Sequence, residues 1–207
     1  MNGPMIVIAG AGSGKTRVLT YKIAYLMTQG VDPFNILALT FTNKAAREMK
    51  ERIANIVGDE AKNLWMGTFH SVFARILRIE AHKIGYTSNF TIYDSDDSQK
   101  LVARIIKELN LDKEQYKYKI IFSRISSMKN NFISADQYVN DEEMLLSDKI
   151  SNRPKFHQIY KQYVDRCFKA GAMDFDDLLL KTNELLNSYP DTLSKYQNIF
   201  RYILVDE

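Results

Sequence analysis

Residues 9–16 read Ala9-Gly10-Ala11-Gly12-Ser13-Gly14-Lys15-Thr16, a glycine-rich loop that ends on a lysine and a threonine. An apolar run, Met5–Ala9, precedes the loop, and a helical pattern that stops near Gly30 follows it. A short, uninterrupted apolar run is typical of a strand covered on both faces of a parallel sheet. The sequence therefore predicts a buried strand, a tight turn and a helix in direct succession.

The loop has the composition of a phosphate-binding turn. Its glycines allow the backbone N–H groups to point inward, and the start of the helix adds a partial positive charge. We predict that Lys15 reaches the β- and γ-phosphates of a nucleotide and that the Thr16 hydroxyl binds Mg²⁺. The general motif begins with glycine, whereas this chain has Ala9 there. The predicted nucleotide-binding residues of the loop are Gly10, Ala11, Gly12, Ser13, Gly14, Lys15 and Thr16.

An acidic pair, Asp206 and Glu207, follows the apolar run Tyr202–Val205 at the other end of the chain. In a phosphate-loop enzyme, an aspartate at the end of a neighbouring strand holds Mg²⁺, and an adjacent glutamate can act as general base. We therefore predict Asp206 as a metal ligand, and Lys15 and Glu207 as catalytic residues. A solvated strand end without function is the alternative. Because the chain stops directly after this strand, we expect an excised piece of a longer protein.

Two more apolar runs, Ile36–Phe41 and Leu64–Met66, predict strands, and each is followed by a helical pattern. Strands that alternate with helices favour a parallel α/β sheet. The alternation stops after Tyr93, and the pattern is helical from there to about Ala172. We predict an α/β fold in which residues 1–94 and 173–207 form a P-loop core, with an inserted all-helical subdomain at residues 95–172.

Two segments carry a resemblance to a known family. Thr40-Phe41-Thr42-Asn43-Lys44-Ala45-Ala46 and Gly67-Thr68-Phe69-His70-Ser71 resemble motifs Ia and Ib of the UvrD/Rep/PcrA helicases. The loop in the form AGAGSGKT, including Ala9, is also similar to that family, as is Met173-Asp174-Phe175-Asp176-Asp177-Leu178. The terminal Val205-Asp206-Glu207 resembles the start of its motif II. These matches follow the family's order and cover most of the chain.

The resemblance implies a superfamily-one motor with a RecA-like sheet, truncated here, that uses ATP and Mg²⁺. Such a motor moves 3′ to 5′ along single-stranded DNA and works at duplex junctions. The resemblance also places Arg17 near the adenine base. Aromatic faces stack on any base, and small polar groups bind phosphates. Without the resemblance, Phe41 is by default a core residue and Asn43 a helix cap, and the helix that begins near Lys44 could be capped by either Thr42 or Asn43. The residues that it assigns to DNA are Phe41, Thr42, Asn43, Phe69 and His70.

The composition of the chain gives weaker evidence about its function than the motifs do. The formal net charge is +3, and residues 95–172 account for all of it, with 14 Lys+Arg against 11 Asp+Glu. This weakly favours an anionic partner. The tyrosines and lysines of Tyr116–Lys119 fit a contact with duplex DNA and a solvated helix surface equally well. The single cysteine excludes an internal disulfide, and no apolar run is long enough for a signal peptide or a membrane span. We predict a soluble, cytoplasmic protein without membrane contact.

Other functions stay open. The parent protein could be the motor part of a helicase–nuclease subunit, which downstream sequence would show. A P-loop kinase would explain Gly10–Thr16 but not the Ia-like and Ib-like segments, and a non-catalytic DNA-binding module is a third possibility. The family's upstream glutamine and the arginine of its second motor domain are missing, so we expect the fragment to bind nucleotide weakly and to unwind nothing. Asp174 and Asp177 have the spacing of a helix cap.

Overall fold

A computed structural model of the chain describes residues 3–8, 10 and 12–206. The described chain is mostly helical, with a small parallel sheet. Three short 3₁₀ turns lie at Pro33–Asn35, Gly58–Asn63 and Ala81–Ile84. The helices are α1 (Lys15–Thr28), α2 (Asn43–Val57), α3 (Phe69–Glu80), α4 (Ser95–Glu108), α5 (Tyr118–Asn130), α6 (Ala135–Val139), α7 (Glu142–Ile150), α8 (Phe156–Lys169), α9 (Phe175–Ser188) and α10 (Pro190–Ile199). The strands are β1 (Ile36–Thr40), β2 (Trp65–Thr68), β3 (Thr91–Ile92), β4 (Ala172–Met173) and β5 (Tyr202–Asp206).

The chain divides into two compact units. The first consists of Met1–Val72 and Leu186–Glu207, and the second of Phe73–Leu185. The second unit contains the predicted helical subdomain at 95–172 and extends beyond it on both sides. The narrower boundaries stay a prediction about domain organisation.

The first unit is built on a three-stranded parallel sheet in the order β2-β1-β5. Thr40 at the end of β1 stands opposite both Thr68 of β2 and Asp206 of β5, so all three strands end at one edge. Every residue of β1 is buried, which confirms the predicted strand and explains why its sequence shows no alternation. The buried residues packed together in this unit are Ile23, Leu26, Met27, Ile36, Ala38, Met49, Ile53, Ala61 and Leu64.

The predicted buried strand at Met5–Ala9 is wrong for the residues that can be compared. Residues 4–8 have no regular secondary structure, and Ile6 and Ile8 are 88% and 95% exposed. Ala9 itself lies outside the described residues. A strand needs a neighbour to satisfy its backbone groups, and residues 4–8 belong to neither sheet of the described chain. Residues of the segment 3–7 instead line a cleft of about 650 Å³ together with residues 201–206. The apolar composition is therefore not sufficient for a strand here.

Strand β5 is present as predicted, but its burial is not that of a fully covered strand. Tyr202 and Leu204 pack on the core of the first unit, whereas Ile203 and Val205 are 62% and 49% exposed. Side chains of a strand point alternately to its two faces. One face of β5 is therefore covered, and the other is open among the described residues.

The second unit joins a two-stranded parallel ladder to five helices. Thr91 of β3 stands opposite Ala172 of β4, and the Tyr93 N–H donates to the Met173 carbonyl at 2.8 Å. Helices α4 to α8 lie between these two strands in the sequence. Their apolar faces form one core around Phe156, Ile159, Tyr160 and Tyr163. None of the helices in the described part of the chain is long and apolar enough to cross a membrane.

Candidate nucleotide and nucleic-acid site

The glycine-rich loop leads directly into α1, as the sequence predicts. Gly12 and Gly14 have φ angles of +76° and +91°, which non-glycine residues rarely adopt. The Ser13 hydroxyl donates to the Gly10 carbonyl at 2.6 Å, and the Lys15 ammonium donates to the same carbonyl at 3.3 Å. The lysine side chain is thus folded over the loop. Ala11, also predicted as a nucleotide contact, lies outside the described residues.

The structure brings the two ends of the chain together at this loop. The Thr16 hydroxyl donates to the Asp206 carboxylate at 2.8 Å, across 190 residues of sequence. Thr16 lies in the first turn of α1, and Asp206 is the last residue of β5. Both predicted metal ligands therefore meet at the edge of the sheet where the parallel strands end. Glu207, the predicted general base, lies outside the described residues.

Arg17 follows the loop on the exposed side of α1. Its guanidinium lies 5.6 Å from the centre of the Tyr21 ring. The side chain is exposed, so it can reorient toward a planar ligand beside the loop. The role of Arg17 near the adenine base stays a prediction.

The two helicase-like segments lie side by side. Because Thr40 and Thr68 are paired in register, the residues that follow them, Phe41 and Phe69, emerge at the same edge. Their ring centres are 5.4 Å apart. Phe41 is 60% exposed, which makes the default interpretation as a core residue wrong. The pair forms an aromatic surface on the first unit.

Polar residues beside this aromatic pair begin the following helices. The Thr42 side chain accepts from the Ala45 N–H at 3.1 Å and so caps α2, one of the two caps that the sequence allowed. Asn43 is the first residue of that helix and is exposed. His70 lies in the first turn of α3 and is half-buried. All five predicted DNA contacts therefore lie at the ends of β1 and β2.

The turn between β2 and α3 is close-packed at Gly67. The Ser71 hydroxyl donates to the Thr68 carbonyl at 2.9 Å, and a Cβ placed on Gly67 would collide with that hydroxyl. The hydroxyl therefore occupies the space that a side chain at residue 67 would need. This packing holds the backbone that carries Phe69 and His70.

We expect Gly67→Ala to destabilise the chain by about 1–3 kcal/mol, since the new methyl group forces the Ser71 hydroxyl out of its hydrogen bond. Ser71→Ala alone is expected to cost about 1 kcal/mol. In the double variant the collision is absent. Its loss of unfolding free energy should therefore be smaller than the sum of the losses of the two single variants. Urea unfolding of the four proteins measures this, and strictly additive losses would show that the two positions do not interact.

A buried charge cluster that the sequence did not reveal holds the second unit together. Lys129 is 1% exposed, and its ammonium contacts Asp174 at 2.7 Å and Asp177 at 2.8 Å. The Tyr163 hydroxyl donates to the same Asp174 oxygen at 2.7 Å. The predicted cap is also present, because the Asp177 N–H donates to the Asp174 carboxylate at 2.8 Å. The role of Lys129 in this cluster is hard to predict from sequence because its partners lie more than 40 residues away.

The cluster favours the charged forms of Lys129 and Asp174, whereas burial raises the pKa of Asp177. Burial alone would lower the pKa of Lys129, but Asp177 and Asp174 outweigh it and hold that pKa above its ordinary value. Burial would likewise raise the pKa of Asp174, but the Lys129 ammonium and the hydrogen bonds lower it. The Asp174 carboxylate is therefore ionised at neutral pH, as a buried ion pair requires.

Comparison with known proteins identifies the family of the chain. The UvrD/REP helicase N-terminal domain matches residues 1–207. The ATP-dependent DNA helicase PcrA of Staphylococcus epidermidis strain RP62A is 43% identical over 206 residues, which are 99% of this chain and 27% of that protein. PcrA of Staphylococcus aureus strain Mu50 shows the same identity and coverage. The chain thus spans about a quarter of the length of these relatives. Because this family model covers the whole chain, the chain belongs to the UvrD/REP helicase N-terminal domain family.

Proposed function

We propose that this chain binds ATP and Mg²⁺ as part of the motor of an ATP-dependent DNA helicase. The hydrogen bond between Thr16 and Asp206 is the observation that carries the proposal. A threonine after the loop lysine and an aspartate at the end of a neighbouring strand are the protein ligands for Mg²⁺ in P-loop enzymes. Lys15 would neutralise phosphate charge, and Gly10, Ala11, Gly12, Ser13 and Gly14 would supply backbone donors to it.

The residues present fit Mg²⁺. Its preferred ligands are oxygens, usually one or two from protein side chains together with phosphate and water. Thr16 and Asp206 offer a hydroxyl and a carboxylate oxygen 2.8 Å apart, so small shifts would let both face one cation. The metal would supply charge neutralisation at the phosphates. Glu207 is proposed as the general base and Arg17 as the residue near the base of the nucleotide.

Fluorescent ATP titrated into the 207-residue chain tests this proposal. With Mg²⁺ present, Thr16→Val and Asp206→Asn are each expected to weaken binding about 10- to 100-fold, because each removes a hydrogen-bonding or coordinating group beside charged oxygens. Removing Mg²⁺ with EDTA should lower the affinity of the unchanged chain toward that of the variants. Matched controls are Thr28→Val at the end of α1 and Asp59→Asn on the exposed Gly58–Asn63 turn. The proposal would be contradicted if EDTA and both variants left the affinity for ATP unchanged. It would also be contradicted if the chain bound no nucleotide at millimolar concentration.

We further propose that single-stranded DNA lies across the ends of β1 and β2. The exposed Phe41 ring and the neighbouring Phe69 ring offer stacking faces that suit any base. Thr42, Asn43 and His70 are close enough in the fold to bind phosphates beside them. The relatives named above are DNA helicases, which supports a nucleic acid in this place.

At the level of the whole protein, we propose a RecA-like motor with a helical insertion, which moves 3′ to 5′ and acts on single strands and duplex junctions. The parallel sheet, the loop and the acidic strand end support the RecA-like core, and the five helices between β3 and β4 support the insertion. We infer that this chain alone does not unwind DNA, because motors of this kind need two domains that close on ATP. The relatives are nearly four times as long as the part matched here.

A further inference from the structure

A groove on the second unit is separate from the residues assigned to nucleotide and single-stranded DNA. It has a volume of about 830 Å³ and lies where α4 ends and α5 begins. Its lining extends from Ala103 to Ile120. Pockets that hold a ligand or a peptide side chain commonly have volumes of this order.

The rim of the groove is strongly cationic. Arg104, Lys107, Lys113, Lys117 and Lys119 line it, with Glu114 as its one acidic residue. Arg104 is paired with Glu108, and Lys117 contacts Glu114 at 3.5 Å. Among the residues that the structure describes, the other three lysines of the rim form no ion pair. The groove therefore carries an uncompensated positive charge that favours an acidic partner.

The floor of the groove is apolar. Ile106 and Tyr116 are buried beneath it, and Tyr118 and Ile120 are 41% and 44% exposed. An exposed isoleucine beside an exposed tyrosine, within a polar rim, offers an apolar surface that a side chain of a partner can cover. A simple phosphate site would not need this apolar floor.

The groove also continues along α5. A second, more open groove of about 460 Å³ shares Lys119 and Ile120 with it and extends past Ser123 to Ser127. Arg124 also lines this continuation. The two grooves together form a track that is too long for one small anion, and they suit an extended or helical protein segment.

We propose that this track, from Ala103 to Ser127, binds an acidic segment of a partner protein whose apolar side chains insert beside Tyr118 and Ile120. Carboxylates of the segment face Lys107, Lys113 and Lys119, and one or two apolar residues cover the floor. Nucleic acid shares the negative charge, but most of its contacts to protein go through phosphate and sugar, which leave an apolar floor unused. The proposal adds a protein-docking surface to the proposed helicase function and does not depend on it.

A fluorescent synthetic peptide, Asp-Glu-Phe-Leu-Asp-Glu-Leu-Phe-Glu-Asp, titrated into the 207-residue chain tests the proposal by anisotropy. Lys119→Glu reverses a rim charge, and Ile120→Ser removes an apolar contact; each is expected to weaken binding about tenfold. Both side chains are exposed, so the circular dichroism spectrum and melting temperature should be unchanged. Lys50→Glu on α2 is the matched charge-reversal control and is expected to bind the peptide normally.

The same chain is also titrated with a second peptide, in which serine replaces each phenylalanine and leucine, and with a duplex DNA of about two helical turns. The serine peptide is expected to bind about tenfold more weakly or worse. The proposal is overturned if the first peptide does not bind at about 1 mM, if Ile120→Ser leaves its affinity unchanged, or if the serine peptide binds equally well. It is also overturned if duplex DNA displaces the first peptide and if Lys119→Glu weakens the binding of that DNA to the chain.

Discussion

Replacing Lys129 with methionine is expected to lower the free energy of unfolding of the chain by about 3–5 kcal/mol. The ammonium is buried and contacts the carboxylates of both Asp174 and Asp177. Methionine has a similar length but no charge, so the variant leaves two acidic groups buried without their cation. Removing one partner of a buried ion pair is costly because the remaining charge cannot reach water. Urea unfolding followed by circular dichroism measures the loss.

The matched control is Lys161→Met. Lys161 also contacts two carboxylates, those of Asp136 and Asp165, but its side chain is 43% exposed. Water screens exposed pairs, so this variant should lose less than about 1 kcal/mol. Equal losses for the two variants would show that burial does not determine the strength of the Lys129 cluster.

The Lys129→Met variant should also respond to pH in a defined direction. Without the ammonium, burial raises the pKa of Asp174 above the value of about 3.9 for an unfolded aspartate, and it raises the pKa of Asp177 further than in the unchanged chain. The folded variant then binds more protons than its unfolded form, so its stability falls as the pH rises from about 4 to 7. The loss of unfolding free energy relative to the unchanged chain should therefore be smaller at pH 5 than at pH 7.5. A loss of unfolding free energy that becomes larger as the pH falls would contradict this account.

Replacing Lys15 with alanine in the full-length protein is expected to lower DNA-stimulated ATP hydrolysis on the order of 10²–10³-fold. Lys15 lies at the loop, close to the Gly10 carbonyl, and is proposed to neutralise charge on the β- and γ-phosphates. Loss of one well-placed donor to developing negative charge typically has an effect of this size. Phosphate release in the presence of saturating single-stranded DNA measures it.

The control for this experiment is Lys50→Ala, which removes an exposed lysine of α2 that has no proposed role at the nucleotide. Its hydrolysis rate should stay within about twofold of the unchanged protein. Binding of single-stranded DNA should survive Lys15→Ala, because the proposed DNA contacts lie at Phe41 and Phe69. An active Lys15→Ala protein would contradict the nucleotide assignment while leaving the family membership untouched.

Local sequence predicted much of the backbone structure around the glycine-rich loop and the first helices. Gly12 and Gly14 occupy the positive φ angles expected of a tight turn, and α1 begins at Lys15. The buried run Ile36–Thr40 forms β1, and Thr42 caps α2. These features depend on neighbours within a few residues, so composition and spacing are enough to reveal them.

The exposure of Phe41 was predictable only through the family resemblance. From composition, an aromatic residue at a strand end such as Phe41 is by default buried, whereas the structure leaves it exposed beside Phe69. The helicase-like segment around it indicated a surface role, which the exposure supports. Here the motif carries information about function that hydrophobicity does not contain.

Contacts between distant parts of the chain required the folded structure. The sequence led to a strand at Met5–Ala9, yet residues 4–8 are not paired with any strand. Ile203 and Val205 of β5 are exposed, and Lys129 reaches two aspartates more than 40 residues away. Turns and helix caps follow from the chain's own local chemistry. Strand pairing and the burial of charges depend on which distant groups replace water as hydrogen-bonding or ionic partners. A local sequence pattern does not contain that information.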